Sequence, residues 1–287
     1  MVKIDFLVPG FSKCGSTTLC ALIAQHPELF IPEIDEPWYF SALRYAERAE
    51  EYNALFDRAR PGQKLGEGSV TYSGFRTEDV SIRRIHEHNP DCRFIFIARN
   101  PLKRIESSFR EMHHSGVQFG IDAPYSLSAC MELLPEIVND SCFFERINKY
   151  VEAFGESALL VLFLEDLVRA PEPALRNSFA HLGVDPDFPV ETGLHLNQGS
   201  AKLYDTRLLR RIRNWPPTGM RLAKIHPFAQ DRFLRPLGLR RAFGKKPVDW
   251  DPEARRQVNE RVIPDAKRFL EAFGKPADFW KLTLPDA

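Results

Sequence analysis

Three short apolar runs, rich in β-branched and aromatic side chains, stand out in the first two-thirds of the chain: Ile4 to Val8, Arg93 to Ala98 and Leu159 to Leu164. Runs of this length are typical of short strands buried on both faces. The first run is followed by helical spacing over 16–25, which ends at His26-Pro27 because the residue before proline is pushed out of the helical region. After the second run, Pro101 suits the first turn of a helix that continues over 102–114.

Helical spacing of apolar residues recurs later in the chain. It precedes the third run over 143–154, where Gly155 is a stop signal, and it follows that run over 175–182, where Gly183 is another. A last helix is predicted over 258–273. Strands that alternate with helices of this length predict βαβ units. The sequence therefore predicts an α/β fold, a P-loop-like parallel sheet with helices on both faces, in a single domain of residues 1–287.

Two segments interrupt this pattern. Between 116 and 140 the helical period is lost, and such a long irregular stretch in a compact domain is more typical of a lid or binding loop than of a plain connection. Residues 201–246 hold thirteen Lys and Arg against two Asp, a net charge of +11. Because the whole chain has 39 basic and 39 acidic residues, the remainder carries −11.

The composition narrows the class of protein. The chain has 287 residues, 44% hydrophobic and 27% charged, which is ordinary for a globular protein and excludes a disordered or coiled-coil chain. Its balanced charge argues against a polycation that binds nucleic acid. Five cysteines without a C-x-x-C pair fit neither a zinc cluster nor a disulfide framework. Because there is no signal-peptide pattern and no apolar run of about eighteen residues, we expect a soluble, cytoplasmic protein.

A glycine-containing loop separates the first predicted strand from the first predicted helix: Pro9-Gly10-Phe11-Ser12-Lys13-Cys14-Gly15-Ser16-Thr17-Thr18. Such a loop turns backbone N–H groups and the positive end of a helix dipole toward an anion, which predicts a phosphate cradle. The nucleoside triphosphatase pattern G-x-x-x-x-G-K-[ST] is met only in part, because Ser16 stands at its lysine position and Lys13 lies earlier. A kinase neutralises a γ-phosphoryl group with that lysine and magnesium, whereas a less charged sulfuryl group can be transferred with Lys13 and hydroxyl or amide donors. The alternative is an ordinary strand-to-helix turn with incidental Ser and Thr.

A second motif follows the second predicted strand: Arg99-Asn100-Pro101-Leu102-Lys103-Arg104-Ile105-Glu106-Ser107. An arginine at the carboxyl end of a strand and a serine one to two turns into the next helix can converge on a phosphate, in the crevice where open α/β sheets bind ligands. With the first loop, this predicts two anion sites at neighbouring strand ends, and hence a ligand with two separated phosphates.

The pair GFSKCGSTTL (10–19) and ARNPLKRIESS (98–108) resembles the 5′-phosphosulfate loop and the 3′-phosphate motif of sulfotransferases that use 3′-phosphoadenosine 5′-phosphosulfate (PAPS). Further matches follow in the family's order: Leu22 to Pro27, Glu36 to Phe40, Leu65 to Tyr72, Tyr150 to Leu167 and Asp278 to Trp280. The resemblance covers nearly the whole chain and is greatest to the bacterial and heparan-sulfate-type branch.

The resemblance implies roles for particular residues. The 5′-phosphosulfate would be held by Lys13, Cys14, Gly15, Ser16, Thr17 and Thr18, and the 3′-phosphate by Arg99 and Ser107. Lys13 is also expected to act in the transfer step. Some relatives stack adenine on a tryptophan directly after the loop threonines, but this chain has Leu19 there. We therefore expect adenine recognition from another part of the chain, with the loop 197–204 as one candidate.

Transfer to an alcohol or amine needs a base that removes the acceptor's proton. In the heparan-sulfate-type branch a Glu before an aromatic pair does this, and Glu36 stands at the matching place; otherwise it is one acid of an acidic turn. Glu67 is the second candidate. Some relatives have a Lys or His that assists transfer near this segment, but position 68 is Gly. His113-His114 is a weaker candidate, and no spacing indicates a metal site.

The sequence says least about the acceptor. The basic segment 201–246 is either a solvated face that complements the acidic remainder, or a basic amphipathic surface for an anionic saccharide or a membrane-bound glycolipid. We expect a small-molecule, saccharide or glycolipid acceptor, with peripheral membrane contact under the second interpretation; the oligomeric state stays open. Two other functions stay open: a P-loop kinase-like phosphotransferase, which lacks the expected lysine and magnesium-binding Asp, and a non-catalytic protein that keeps the nucleotide site.

Overall fold

A parallel sheet of five strands lies at the centre of the computed structural model, which describes residues 1–33, 36–193, 202–215, 227–244 and 247–284. In chain order the strands are β1 (Phe6–Gly10), β2 (Leu29–Phe30), β3 (Lys64–Glu67), β4 (Arg93–Ala98) and β5 (Leu159–Phe163). Their order across the sheet is β2-β3-β1-β4-β5. The predicted α/β class with a parallel sheet is confirmed.

The helices of the described residues are numbered here in chain order. They are α1 (Ser16–Ile23), α2 (Ala49–Ala54), α3 (Glu78–His88), α4 (Pro101–Ser115), α5 (Leu127–Leu133), α6 (Glu136–Asn139), α7 (Phe143–Phe154), α8 (Leu164–Arg169), α9 (Pro171–Leu182), α10 (Arg207–Asn214), α11 (Pro227–Leu234), α12 (Pro252–Gln257) and α13 (Ile263–Ala272). A π-helical turn, Val258–Val262, joins the last two. Within the described residues, no helix is long and apolar enough to span a membrane.

The residues cluster into two compact units. The first unit comprises Met1–Arg104, Val138–Leu196 and Gln257–Thr283 and contains the five-stranded sheet. The second unit comprises Ile105–Ile137, Asn197–Arg256 and Leu284–Ala287. It contains a two-stranded antiparallel sheet of β6 (Leu203–Asp205) and β7 (Arg240–Ala242). Both units are assembled from separate stretches of chain, and the division falls within α4.

Aromatic packing next to β4 anchors the loop that follows β1. Phe11, the first residue after β1, is fully buried, and its ring centroid lies 4.4 Å from that of Phe143 and 5.3 Å from that of Phe96. Its N–H donates to Ile97 O at 2.9 Å. Burial of a phenyl ring contributes about 1.5–3 kcal/mol. The start of the predicted phosphate loop is therefore fixed to the core of the first unit.

Most predicted elements are present with shifted ends. The first strand was expected to end at Val8 but continues to Gly10, because Gly10 still pairs with Phe96 of β4. The second strand has the predicted bounds, and the third ends one residue early, where α8 begins. The last predicted helix, over 258–273, consists of the π-helical turn followed by α13, and α12 lies directly before it. The strands β2 and β3 were not predicted, because strands of two and four residues are too short to show a repeating pattern in the sequence.

The expectation of an irregular region over 116–140 is wrong in part. This stretch contains a 3₁₀ turn, Gly116–Phe119, and the short helices α5 and α6. Helices of seven and four residues are too short to display a helical period in sequence. A lid role for the region stays a prediction. Of the candidate adenine loop 197–204, residues 197–201 lie outside the described residues.

Candidate active site

The loop between β1 and α1 has the backbone of an anion cradle. Gly10 and Gly15 have φ angles of 144° and 95°, which residues with a side chain rarely adopt. A Cβ on Gly10 would lie 2.5 Å from Ser73 Oγ, and a Cβ on Gly15 would lie 2.8 Å from Leu164 Cδ1. Gly15 is the N-cap of α1 and provides no side-chain cap. The N–H groups of the first helical turn, and the positive end of its dipole, are therefore open to a ligand.

The predicted loop side chains differ in accessibility. Thr17 is exposed, Lys13 and Thr18 are half-buried, and Ser16 is 8% exposed. Lys13 has a φ of 65°, in the left-handed region, which is uncommon for a residue with a side chain. The loop thus presents a cation and hydroxyl groups next to the N–H groups of α1, which is what an anionic ligand requires.

Cys14 is the member of this set that packs inward. Its side chain is fully buried, its N–H donates to Phe11 O at 3.1 Å, and burial raises the pKa of its thiol to about 12. The thiol is therefore neutral at physiological pH. A contribution of Cys14 to cofactor binding stays a prediction, and its position favours a role in shaping the loop.

Two arginines from the second motif hold the carbonyl groups of the phosphate loop. Arg99 donates from Nη1 to Lys13 O at 3.3 Å, and Arg104 donates from Nε to Ser12 O at 3.1 Å. Arg104 is 2% exposed, and its guanidinium also contacts Ser141 Oγ at 2.9 Å and Asp140 Oδ2 at 3.2 Å. With its carbonyls turned to these arginines, the loop can keep N–H groups for a ligand.

The sequence reasoning gave Arg104 no role. It lies on the buried face of α4, where the helical period calls for an apolar residue. A charged residue at a buried helix position is the sequence signal that could have identified Arg104, because buried charges are found paired with other polar groups.

The two predicted anion motifs lie at neighbouring strands. β1 and β4 pair in parallel, so the phosphate loop and Arg99 both follow the carboxyl ends of adjacent strands. Asn100 then caps α4, since its Oδ1 accepts from the N–H of Leu102 at 2.9 Å. Ser107 lies further along α4, in the second unit, and is half-buried. Its predicted part in binding the 3′-phosphate stays a prediction.

A cleft of about 230 Å³ adjoins the start of α1. Its described lining residues are Ser16, Thr17, Cys20, Ala21, Ala24, Ile31, Pro32, Glu33, Glu36 and Gly68. The cleft thus joins two predicted phosphosulfate ligands, Ser16 and Thr17, to the predicted base Glu36. The carboxylate of Glu33 and small or apolar side chains form the rest of its described wall.

Glu36 is a half-buried carboxylate whose orientation is supported by its neighbour. The indole Nε1 of Trp38 donates to Glu36 Oε2 at 2.7 Å. Trp38 is 47% exposed and has a φ of 52°, in the left-handed region. The peptide N–H of Trp38 donates to Ser69 Oγ at 3.1 Å. The carboxylate is therefore held by the Trp38 indole in the wall of the cleft.

Glu67, the second predicted base, is 1% exposed. Its carboxylate accepts from Tyr72 OH at 2.5 Å, Tyr52 OH at 3.3 Å and Ser69 Oγ at 2.9 Å. Burial raises the pKa of Glu67 to about 7, although these hydroxyl groups act in the opposite direction. This pKa would suit a general base, but three hydroxyl groups and the core enclose the carboxylate. The geometry favours Glu36 as the residue that meets an acceptor.

The glycine at position 68 leaves no room for an assisting lysine. A Cβ at Gly68 would lie 2.5 Å from Sγ of Cys20, which lines the same cleft. A longer side chain at this position needs a smaller residue at position 20. Lys13 is the cation of the phosphate loop.

His113, the weaker candidate base, lies in the second unit. It is 3% exposed, and its Nδ1 is 2.9 Å from Nη2 of Arg210. Burial, and then the charge of Arg210, lower the pKa of His113 to about 4, so the ring is neutral at physiological pH. Its environment explains it as a packed histidine. In the described parts of the chain, no cluster of three His, Cys, Asp or Glu side chains could hold a metal.

Several basic side chains in the described part of segment 201–246 form ion pairs with acidic residues of the same unit. Within the second unit Asp205 pairs with Arg213 at 2.6 Å and with Arg240 at 2.9 Å. Lys202 pairs with Glu111 at 2.5 Å. Arg207, Arg211, Arg232 and Arg235 are exposed, as are four large apolar side chains: Leu208, Trp215, Phe233 and Leu237. The paired residues support the unit, whereas the exposed basic and apolar side chains are accessible to solvent.

Comparisons with known proteins agree with this geometry. A family model described as "Sulfotransferase domain" matches residues 3–196. A bifunctional heparan sulfate N-deacetylase/N-sulfotransferase 1 from Caenorhabditis briggsae is 23% identical over 223 residues, 71% of this chain and 25% of the relative. A human heparan sulfate glucosamine 3-O-sulfotransferase 6 is 30% identical over 105 residues, 37% of this chain and 29% of the relative. The match thus spans about a quarter of each relative's length.

A solved structure supports the fold. A sulfotransferase from Alicyclobacillus acidocaldarius superposes with a TM-score of 0.65 and 19% sequence identity. The superposition covers 98% of this chain and 100% of that one. The parallel sheet and its helices are therefore the architecture of a known sulfotransferase along almost the entire chain.

Proposed function

The chain belongs to the sulfotransferase domain family, and from that premise we propose that it transfers the sulfuryl group of PAPS to a hydroxyl or amine of an acceptor. The observation that carries the proposal is the junction of the two anion motifs, where Arg99 binds the Lys13 carbonyl at 3.3 Å beside the uncapped start of α1. One nucleotide with a 5′-phosphosulfate and a 3′-phosphate fits two anion sites at neighbouring strand ends.

Each loop residue has a separate part in this proposal. The N–H groups of the first turn of α1, with the Ser16 and Thr17 hydroxyls, hold the 5′-phosphosulfate. Arg99 holds the 3′-phosphate through its planar guanidinium, which matches phosphate oxygens in pairs. Lys13 neutralises charge that develops as the sulfuryl group leaves, a differential interaction that accelerates the chemical step. PAPS supplies the activated sulfuryl group.

Glu36 is the general base of the proposed reaction. Its carboxylate lines the same cleft as Ser16 and Thr17, so an acceptor in the cleft would meet the carboxylate next to the sulfuryl group. Removing the acceptor's proton makes its oxygen or nitrogen a better nucleophile for in-line attack on sulfur. The Trp38 indole keeps one carboxylate oxygen fixed, at 2.7 Å.

The cleft also restricts the acceptor. Its described lining combines the carboxylates of Glu33 and Glu36 with an apolar wall that includes Ala24, Ile31 and Pro32. Carboxylates repel an anionic group, whereas an apolar wall accepts the face of a sugar ring or the start of a lipid chain. We propose a saccharide or glycolipid acceptor whose reacting end is not yet sulfated. The names of the relatives, which act on heparan sulfate, support a saccharide.

Transfer is expected to need no metal, because Ser16 replaces the kinase lysine and a sulfuryl group has less charge to neutralise than a phosphoryl group. Saccharide and glycolipid pools incubated with the protein and PAPS should gain sulfate, detected by mass spectrometry, at the same rate in excess chelator. The same pools with ATP should gain no phosphate. Activity that disappears in chelator and returns with magnesium contradicts metal independence, and phosphorylation with ATP would support the kinase alternative.

The exposed basic and apolar residues of the second unit support a further proposal, peripheral contact with a membrane that carries a glycolipid acceptor. Trp215 and Phe233 are 65% and 64% exposed. Amphipathic surfaces of this kind insert apolar side chains at the headgroup boundary, while arginines attract anionic lipids by about 1 kcal/mol each.

Vesicle co-sedimentation tests this contact. Phosphatidylcholine vesicles with a fifth of phosphatidylserine should bind the protein, and Trp215→Ser with Phe233→Ser should weaken binding about tenfold, or about 1.4 kcal/mol. The control is Val168→Ser, which removes an exposed apolar side chain of the first unit, 55% exposed. Equal binding by parent and double variant would show that this surface is only solvated.

A further inference from the structure

A buried carboxylate lies behind the turn that carries the proposed base. The carboxylate of Glu67 is surrounded by three hydroxyl groups, those of Tyr52, Ser69 and Tyr72, at 2.5–3.3 Å. Each of these hydroxyl groups donates its single proton to a carboxylate oxygen of Glu67. The oxygen lone pairs of Ser69 and Tyr72 then remain to accept from other donors.

Those lone pairs receive backbone N–H groups of the turn that follows Glu36. The N–H of Trp38 donates to Ser69 Oγ at 3.1 Å, and the N–H of Phe40 donates to Tyr72 OH at 3.4 Å. The donors and acceptors therefore point in one direction, from the turn through two hydroxyl groups to Glu67. Trp38 has a φ of 52°, a left-handed conformation that costs a residue with a side chain about 1–2 kcal/mol. Such a conformation persists only where the surrounding contacts hold it.

The turn that contains Trp38 also orients Glu36. The side chain of Trp38, whose backbone is fixed by Ser69, donates from its indole to Glu36 Oε2 at 2.7 Å. Ser69 is 0% exposed and touches neither a predicted ligand group nor the cleft, whose lining near it is Gly68. A change at Ser69 can therefore reach the reaction only through the turn or through the fold.

We propose that Glu67 is a positioning residue, which acts through Ser69 and Tyr72 to fix the turn of Trp38 and thereby the carboxylate of Glu36. This inference rests on the proposed role of Glu36 as the base. It assigns to Glu67 a role other than proton transfer, and it explains why a carboxyl group is kept at a site with almost no contact with water. A displacement of about 1 Å in such a constellation can cost about 10²-fold in rate.

A double-mutant cycle tests this arrangement. Ser69→Ala removes the hydroxyl between Glu67 and the Trp38 N–H, and is expected to lower kcat by about 10- to 100-fold with unchanged affinity for the desulfated nucleotide. In the background of Glu36→Gln the same substitution should change kcat, measured in single turnovers, less than about twofold. The control is Ser178→Ala, another fully buried serine, whose hydroxyl donates to Ala174 O at 2.8 Å within α9.

The possible results distinguish the positioning role of Glu67 from the proposed role of Glu36 as the base. If Ser69→Ala lowers kcat by the same factor in both backgrounds, or leaves the parent's kcat unchanged, the positioning role is wrong. If Glu36→Gln alone keeps full activity, the proposed base is wrong, whatever Ser69 does. Should Ser69→Ala fail to fold, Tyr72→Phe enters the same cycle, because it keeps the ring and removes the hydroxyl between Glu67 and the Phe40 N–H.

Discussion

Glu36→Gln is expected to lower kcat by about 10²–10⁴-fold while leaving nucleotide affinity close to that of the parent. Glutamine keeps the shape of the side chain and can still contact the Trp38 indole, but it cannot accept the acceptor's proton. Turnover with PAPS and a saccharide acceptor gives kcat, and calorimetry with the desulfated nucleotide gives the affinity. A loss in kcat alone would show that the carboxylate acts in the chemical step and not in binding of the donor.

Glu33→Gln is the matched control for this substitution. Glu33 lines the same cleft, but its carboxylate is exposed and pairs with Arg58 at 3.3 Å. Exposed ion pairs contribute about 0–1 kcal/mol and Glu33 is not the proposed base, so this variant should keep the parent's kcat, with any change confined to the KM of the acceptor. If Glu36→Gln is nearly as active as the parent and Glu67→Gln is inactive, the base is Glu67 and the burial argument fails.

Arg99→Ala is expected to weaken binding of the desulfated nucleotide, which retains the 3′-phosphate, by about 10- to 100-fold. Hydrogen bonds to a charged group contribute about 1.5–3 kcal/mol, and the substitution also leaves the Lys13 carbonyl without its arginine donor. Titration calorimetry measures the change directly. Arg99→Lys should be intermediate, because it retains the charge but not the planar guanidinium.

Two comparisons make the result for Arg99 specific. Lys13→Ala should act mainly on kcat, because its charge is needed most during transfer. Arg176→Ala, an exposed arginine that pairs with Asp187 at 2.9 Å on another part of the first unit, should leave both affinity and kcat unchanged. Nucleotide affinity of Arg99→Ala equal to that of the parent would remove Arg99 from the 3′-phosphate site.

These experiments distinguish parts of the site that differ in how far the sequence could predict them. The phosphate loop was predictable because its residues are contiguous and because two glycines with positive φ leave a local signature. Arg99 was predictable for the same reason, since it directly follows an apolar run that forms β4. Their adjacency then followed from the parallel pairing that an α/β pattern implies.

The choice between Glu36 and Glu67 was not available from the sequence. The sequence offered both acids as candidates for the base. Only the packed structure shows that Tyr52, Ser69 and Tyr72 enclose Glu67, while Glu36 lines a cleft. Burial depends on residues distant in sequence, so no local pattern reports it.

The same limit applies to charges. A run of net charge +11 does not reveal which arginines have partners, because Asp205 and Glu111 meet their cations through folding of the second unit. Arg104 reaches Ser12 across 92 positions of sequence. Short elements such as β2 and α6 were likewise undetectable, since two or four residues do not complete a period.

By itself, then, the sequence determined the α/β class, the glycine-containing loop after the first strand and the arginine at the second strand end, because apolar periodicity and turn chemistry act between neighbours in the chain. The parts of that loop and arginine in binding a nucleotide stay predictions. The tertiary structure alone decided which of Glu36 and Glu67 lines the cleft, which arginines contact the loop carbonyls, and which basic residues remain on the surface. Those properties arise from burial and pairing between distant segments, and desolvation gives a buried and a half-buried carboxylate different chemistry.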